Sequence, residues 1–309
     1  MKQNSLYEHG ATIVKGFCMG TADVIPGVSG GTIAFILGIY PKLLTAIKSF
    51  DVEWLWRLVR LDIKGAITYP HFGFLIPLCV GIIAALLFFT RIAPLPVYIR
   101  THPEVTYGLF FGLILGSIII LLRQLGELNR NEYLELAAGI VLGLLLVNLV
   151  PFNTPNSAWF IFISGAIATC AMILPGISGS FILLIFRKYA YVFDGLSKLD
   201  FTVMVPFILG AITGLALFSR ILTSLLNTYY RPTLLVITGI LVASLWVIWP
   251  FQDRVYEFIR GEEHLISTVP LVPQSLDGTT VLSLLLVGLG FVFILFIDWL
   301  ARKRISQVA

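Results

Sequence analysis

The sequence predicts an all-α polytopic membrane protein built as an inverted repeat, each half a re-entrant helical hairpin plus three transmembrane helices. Three observations carry this. The 309 residues are 58% hydrophobic and only 12% charged, with a mean hydropathy of +0.93, a composition no ordinary water-soluble domain of this length approaches. Six apolar runs are each long enough, at roughly 18 to 20 residues, to cross a bilayer. A Pro-Gly-x-Ser-Gly loop occurs twice, as Pro26-Gly27-Val28-Ser29-Gly30-Gly31-Thr32 and as Pro175-Gly176-Ile177-Ser178-Gly179-Ser180.

Taken in chain order, the N-terminal MKQNSLYEHGATIVKG is polar and carries Glu8 and His9. It lacks the pattern of a cleaved signal peptide, so the chain is expected to insert by its own helices. The first half, 1–151, holds a hairpin over 11–49 whose apolar arms, 11–25 and 31–49, meet at the first loop, then spans at 72–91, 105–123 and 134–151. Between hairpin and first span, Trp54 to Tyr69 reads as an amphipathic surface helix with Arg57, Arg60 and Lys64 on its polar side, suited to an anionic leaflet. Gly108, Gly112 and Gly116 make a small-residue stripe. It suits packing on a neighbouring helix of the chain, the favoured reading, or on a second protomer in a homodimer.

The second half, 152–309, holds a hairpin over 158–193 with arms 158–174 and 179–193, then spans at 202–221, 232–250 and 280–300. The loop between the last two spans carries Asp253, Glu257, Glu262, Glu263 and Asp277 against Arg254 and Arg260, and reads as external, acidic and partly structured. With N- and C-termini cytoplasmic, fourteen of the 21 Lys and Arg fall on the cytoplasmic side and seven on the other, as the positive-inside rule requires.

The duplication extends beyond the loops. They lie 149 residues apart, and the same offset aligns Ala22 with Ala171 and Tyr40 with Tyr189; an offset of 129 carries Pro77 onto Pro206, Gly81 onto Gly210 and Arg91 onto Arg220. With slight slippage, Gly112 through Ser117 matches Gly239 through Ser244. Three crossings per half is odd, so the second copy enters the membrane upside down, an architecture that places a site at the repeat interface near the midplane.

Each loop sets Pro, Gly and small hydroxyls where a new helix begins, leaving backbone N–H groups free and a dipole that favours an anion. In lipid such irregular backbone is tolerated only facing protein or a water-filled cavity. The candidate anion-binding groups are Gly27, Ser29, Gly30, Gly31, Thr32, Gly176, Ser178, Gly179 and Ser180, with helix capping as the alternative role of the hydroxyls. Arg91 and Arg220 are repeat-related cations whose guanidinium forks match a phosphate; the competing reading makes them span ends that reach the headgroups. Asp23 is the one acidic residue in the hairpin arms, with Met172 as its counterpart. It is a candidate for a proton or sodium coupling step, or else for a structural hydrogen bond at a helix end.

The stretch Gly20-Thr21-Ala22-Asp23-Val24-Ile25-Pro26-Gly27-Val28-Ser29-Gly30-Gly31-Thr32, followed by Gly38-Ile39-Tyr40, resembles the signature of the bacterial PopT-type polyprenyl-phosphate transporters. Pro175 to Phe181 is similar to that family's second copy. The resemblance implies a plasma-membrane (inner-membrane) protein that returns undecaprenyl phosphate, the lipid carrier of cell-wall precursors, from the outer to the cytoplasmic leaflet. One departure is Arg187-Lys188-Tyr189 where a Gly-Gln-Tyr-like end is expected, which brings two further cations.

Two other function classes compete. A membrane-embedded polyprenyl-pyrophosphate phosphatase would need a Glu-x-x-x-Glu pair and a basic continuation of the loop; the chain has neither, nor a His close to Ser29 or Ser178, so it is not expected to be an enzyme. A small-anion channel or ion-coupled exchanger uses similar helix N-termini and stays open on spacing alone. His9, His71, His102 and His264 are scattered without metal-ligand spacing, and Cys18, Cys79 and Cys170 all lie in apolar segments; no metal or other cofactor is expected. No aromatic and basic interleaving suggests nucleic acid.

Overall fold

The computed structural model describes residues 2–24, 28–92, 98, 101–149, 154–259, 262–273 and 275–308. Among them, five helices are long and apolar enough to cross a membrane. The chain divides into two compact units, Met1–Leu95 with Val150–Tyr230, and Pro96–Leu149 with Arg231–Ala309. Each unit therefore takes a segment from each half of the sequence.

The first unit opens with α1 (Lys2–Asp23), followed by α2 (Gly30–Ile36) and α3 (Tyr40–Lys48). Two short helices, α4 (Val52–Val59) and α5 (Ile63–Thr68), then lead to α6 (Phe72–Arg91). The unit is completed by α9 (Ala158–Ile173), α10 (Gly179–Ile185), α11 (Tyr189–Ser197) and α12 (Phe201–Thr228). The second arm of each expected hairpin is thus two helices. At 1.5 Å per residue, the 7-residue and 9-residue pieces reach only about 10 and 14 Å, far short of a hydrocarbon core of about 30 Å. In the first half the break falls at Gly38, whose φ of 68° is free to glycine; its counterpart Arg187 adopts the same left-handed conformation, at 51°.

Glycines at matching positions of the two halves make matching contacts. A Cβ at Gly16 would run into the Leu78 carbonyl and one at Gly81 into that of Ile13, so α1 and α6 touch backbone to backbone. The same offsets reproduce the contact between α9 and α12, where Gly165 meets the Phe207 carbonyl and Gly210 that of Phe162. Small residues allow such approach where lipid gives no hydrophobic drive for helix association.

The second unit contains α7 (Pro103–Leu125), α8 (Arg130–Val147), α13 (Tyr230–Val247) and α14 (Gly278–Val308). Here the pairing crosses between halves. Gly112 of α7 meets the Val287 carbonyl of α14, and its counterpart Gly239 of α13 meets the Leu136 carbonyl of α8. Gly108 and Gly116 face Ser283 and Ile294 of α14, so the glycine stripe is used inside the chain and lends no support to a second protomer. The third expected span, 134–151, corresponds to α8. It is 18 residues long but carries Arg130, Glu132 and Glu135 in its first two turns, and is not among the five spanning helices.

One element departs from the all-α expectation. The acidic loop folds as an antiparallel hairpin of β1 (Gln252–Ile259) and β2 (Glu262–Pro270), with a bulge at Val255/Tyr256. Its β-branched and aromatic residues suit strands.

An ion pair ties three helix ends of this unit. Arg231 Nε donates to Glu132 Oε1 at 2.6 Å and Nη1 to the Leu125 carbonyl at 2.8 Å, while Glu132 Oε2 accepts from the Asn129 amide at 2.9 Å in a capping box. The Arg231 hydrogen bond, with the Asn129 amide, holds the Glu132 carboxyl below the usual carboxylate range. A carboxyl depressed by folding contributes stability that is present above its unfolded value and lost as pH falls through the lowered one. Arg231→Met is therefore expected to lower the thermal midpoint in detergent at neutral pH, with the gap to the parent closing on acidification. A gap that does not change with pH contradicts this assignment.

Candidate functional site

The two loops meet. After Asp23 ends α1, Ser29 takes an extended conformation (φ −119°, ψ 134°) and caps α2, its hydroxyl accepting from the Gly31 amide at 3.1 Å. The same hydroxyl donates to the Met172 carbonyl at 3.2 Å, 143 residues away at the end of α9. Thr32 Oγ1 accepts the Gly176 amide at 2.8 Å, and the Tyr40 hydroxyl donates to the Ile173 carbonyl at 3.0 Å. Gly176 holds a φ of 90°, a conformation that bends the chain sharply after Pro175 and aims its N–H at Thr32. Three hydrogen bonds thus lock the first loop and the start of α3 to the second loop and the end of α9.

Gly30 and Gly31 are required by close approach. A Cβ on Gly31 would lie 2.8 Å from both the Met172 and Ile173 carbonyls, and one on Gly30 would lie 2.6 Å from Asp23 Oδ2. Pro26 and Gly27 lie outside the described residues.

The loops differ in what they leave accessible. Ser29 and Thr32 are 2% and 1% exposed, and both hydroxyls bond within the loop pair. The α2 amides are also engaged: Gly30 N–H donates to Asp23 Oδ1 at 2.7 Å and Thr32 N–H to the Ser29 carbonyl at 2.9 Å. Asp23 is itself exposed, so this carboxylate serves a helix end while its remaining surface stays open. In the second loop Met172 occupies the equivalent position, and no side chain caps α10. Ser178 and Ser180 bond each other instead, Oγ to Oγ at 2.7 Å, on a half-buried to exposed surface next to Gly179.

The arginines are not part of this junction. Arg91 is exposed at the end of α6, without a hydrogen-bond or ion-pair partner among the described residues. Arg220 lines a cleft of about 340 Å³ with Lys48, Asp51, Val52 and Glu53. Desolvation opposes ionisation of Asp51, yet the Trp54 amide, the Tyr69 hydroxyl and the Arg220 charge hold its carboxyl below the usual carboxylate range. Nor do Arg187 and Lys188 act as a pair. Arg187 is exposed, whereas Lys188 is 2% exposed and its Nζ donates to the Thr154 carbonyl at 2.8 Å and Asn156 Oδ1 at 2.6 Å. Lys188 thereby ties the segment before α9 to the turn between α10 and α11. Sequence reasoning missed Tyr40 and Asp51. The alignment of Tyr40 with Tyr189 was the available signal for the first, and the conjunction of an N-cap aspartate with the end of α3 for the second.

A model of a VCA0040-like family, described as undecaprenyl phosphate translocase-like, matches residues 19–265. The chain is 41% identical over 273 residues to a polyprenyl-phosphate transporter of Vibrio cholerae, covering 86% of this chain and 85% of the relative. It is 32% identical over 258 residues to a polyprenyl-phosphate transporter of Staphylococcus aureus, covering 77% and 85%. Both relatives are named as transporters and not as enzymes. No solved structure matches.

Proposed function

Because the chain belongs to the VCA0040-like, undecaprenyl phosphate translocase-like family, we propose that it moves undecaprenyl phosphate from the outer to the cytoplasmic leaflet of the bacterial plasma membrane, recycling the carrier lipid. The observation that carries this reading is the direct joining of two loops 149 residues apart in sequence, the Gly176 amide to Thr32, reinforced by Ser29 to Met172 at the end of α9. A phosphate monoester carries a charge of about −1.5 to −2 and cannot cross hydrocarbon unaided. Its isoprenoid tail can remain in lipid, so the protein has to supply only a polar path for the headgroup.

On this reading the halves 1–151 and 152–309 are inverted repeats with re-entrant hairpins, both termini are cytoplasmic, and the site opens to each face in turn. Ser178, Gly179 and Ser180 make the contact with the phosphate. Ser29, Gly30, Gly31, Thr32 and Gly176 form the frame that holds that surface in place, and Asp23, exposed at the same junction, is the carboxylate through which a proton or sodium ion is coupled. Arg91 and Arg220 steer the anion from the two faces.

Removing both accessible hydroxyls, Ser178→Ala with Ser180→Ala, is expected to weaken binding of a short-chain polyprenyl phosphate by about 1.5 to 3 kcal/mol, the contribution of hydrogen bonds to a charged group. Thermal stability should hardly change, because these hydroxyls bond only each other at the surface. Tryptophan quenching titrations measure the affinity. An unchanged affinity in the double variant removes the phosphate from this surface.

A further inference from the structure

The repeat supplies a counterpart for both Asp51 and Arg220, the charged pair of this cleft. The offset of 149 that superposes α3 on α11 carries Asp51 onto Asp200, and the offset of 129 that superposes α6 on the first twenty residues of α12 carries Arg91 onto Arg220. Both aspartates follow a 9-residue helix by three residues and both cap the next helix, Asp51 accepting from the Trp54 amide at 2.9 Å and Asp200 from the Thr202 amide at 2.9 Å. The two aspartates are therefore alike in position and in capping, although α4, which Asp51 caps, belongs to a stretch that the second half lacks.

The electrostatics are not alike. In one pair α3 of the first half packs on α12 of the second, and Asp51 faces Arg220 across their shared cleft. The Asp51 oxygens accept from Trp54 and Tyr69, and among the described residues no ion pair joins Asp51 to Arg220, which faces it as a charge across the cleft. Such a contact can open without stranding a buried group. In the other pair Arg91 is exposed without a partner among the described residues, and the Asp200 carboxylate, among those residues, bonds Thr202 alone, through its amide and hydroxyl, beside Lys198 and Asp194. Two copies of one device thus stand in two different states.

We propose that Asp51 with Arg220 and Asp200 with Arg91 are two equivalent gates, the first closed and the second open in this structure, which exchange states as the site turns from one face to the other. The proposal rests on the alternating-access reading above and gives the arginines a role in gating beyond steering. An inverted repeat produces this pattern when its two halves adopt each other's conformation in turn.

A charge-reversal cycle tests it. Asp200 and Arg91 do not interact in this structure, so a static protein predicts independent effects, whereas alternating gates predict coupling. Asp200→Arg and Arg91→Asp should each reduce lipid translocation by about tenfold, and the double variant should recover to within about threefold of the parent. Because Asp200→Arg also removes a helix cap, cross-linking gives a second readout that needs no substrate. In a protein with Cys18, Cys79 and Cys170 replaced by alanine, Asp51→Cys with Arg220→Cys, and separately Asp200→Cys with Arg91→Cys, are treated with a short bis-maleimide. Both pairs should bridge, and bridging either should block translocation. If the second pair never bridges and the double reversal is no better than the worse single variant, while the parent transports normally, the gates are refuted and the substrate reading stands. If both pairs bridge but the parent moves no polyprenyl phosphate, the substrate reading falls and the gates remain.

Discussion

Gly31→Val is expected to abolish recovery of folded protein. A Cβ at this position would sit 2.8 Å from the Met172 and Ile173 carbonyls and 3.2 Å from Ser29 Oγ, and the carbonyls are backbone atoms at the end of α9 that cannot swing aside. Relief of the clash requires the loops to part. That breaks the bonds from Ser29 to Met172, from Gly176 to Thr32 and from Tyr40 to Ile173, two of them in fully buried surroundings. Overpacking costs about 1 to 3 kcal/mol and each hydrogen bond contributes about 1 kcal/mol. The total, about 4 to 6 kcal/mol, reaches the lower end of the stability of an ordinary domain, about 5 to 15 kcal/mol. Fluorescence-detected size exclusion with a thermal ramp measures it. Gly288→Ala is the control, since its Cβ would meet nothing within 4 Å. A monodisperse Gly31→Val protein with the parent's melting point contradicts the interlocked junction.

Asp23 is expected to separate into two roles when its two substitutions are compared. Asp23→Ala strips the Gly30 amide of its acceptor, now 2.7 Å away, and loses an α2 cap, which costs about 1 to 2 kcal/mol. Asp23→Asn keeps an acceptor of the same shape and should melt close to the parent. If ionisation of Asp23 also drives the cycle, Asn retains the fold yet transports at least about tenfold more slowly and no longer responds to a proton or sodium gradient, because a neutral amide neither releases a proton nor balances a cation. Transport by Asp23→Asn at the parent rate, with its gradient response intact, confines this residue to the helix end.

Much of the fold could be read from hydropathy and self-similarity. The first span was expected at 72–91 and α6 is Phe72–Arg91; the offset of 149 maps α2 onto α10 and α3 onto α11 residue for residue. These elements are legible because the membrane demands continuous apolar length and because duplication copies element boundaries along with residues. The breaks inside the hairpin arms were less visible. Gly38 offered a signal, but Arg187 adopts the same left-handed backbone without being glycine, and only tertiary context imposes that. The β-hairpin was hidden because the acidic residues of QDRVYEFI and EEHLISTVP break the strict apolar and polar alternation that marks a strand.

At the site, the motif told which residue types converge but not what they bind to. Ser29 and Thr32 look, in sequence, as suited to a phosphate as Ser178 and Ser180. Their partners, the Met172 carbonyl and the Gly176 amide, lie 143 and 144 residues away, and no local pattern encodes that choice. The same limit explains Arg220, whose acidic neighbour Asp51 belongs to the other half of the chain.

The most direct test of the central claim is translocation in proteoliposomes. A short-chain, fluorescently labelled polyprenyl phosphate placed in both leaflets is followed by the fraction that an impermeant quencher can no longer reach or regains, with inorganic phosphate measured in the same samples. The account predicts protein-dependent exchange between leaflets without phosphate release, slowed in the Ser178→Ala, Ser180→Ala double variant. Phosphate release, or exchange no faster than in protein-free vesicles under every imposed ion gradient, would contradict it.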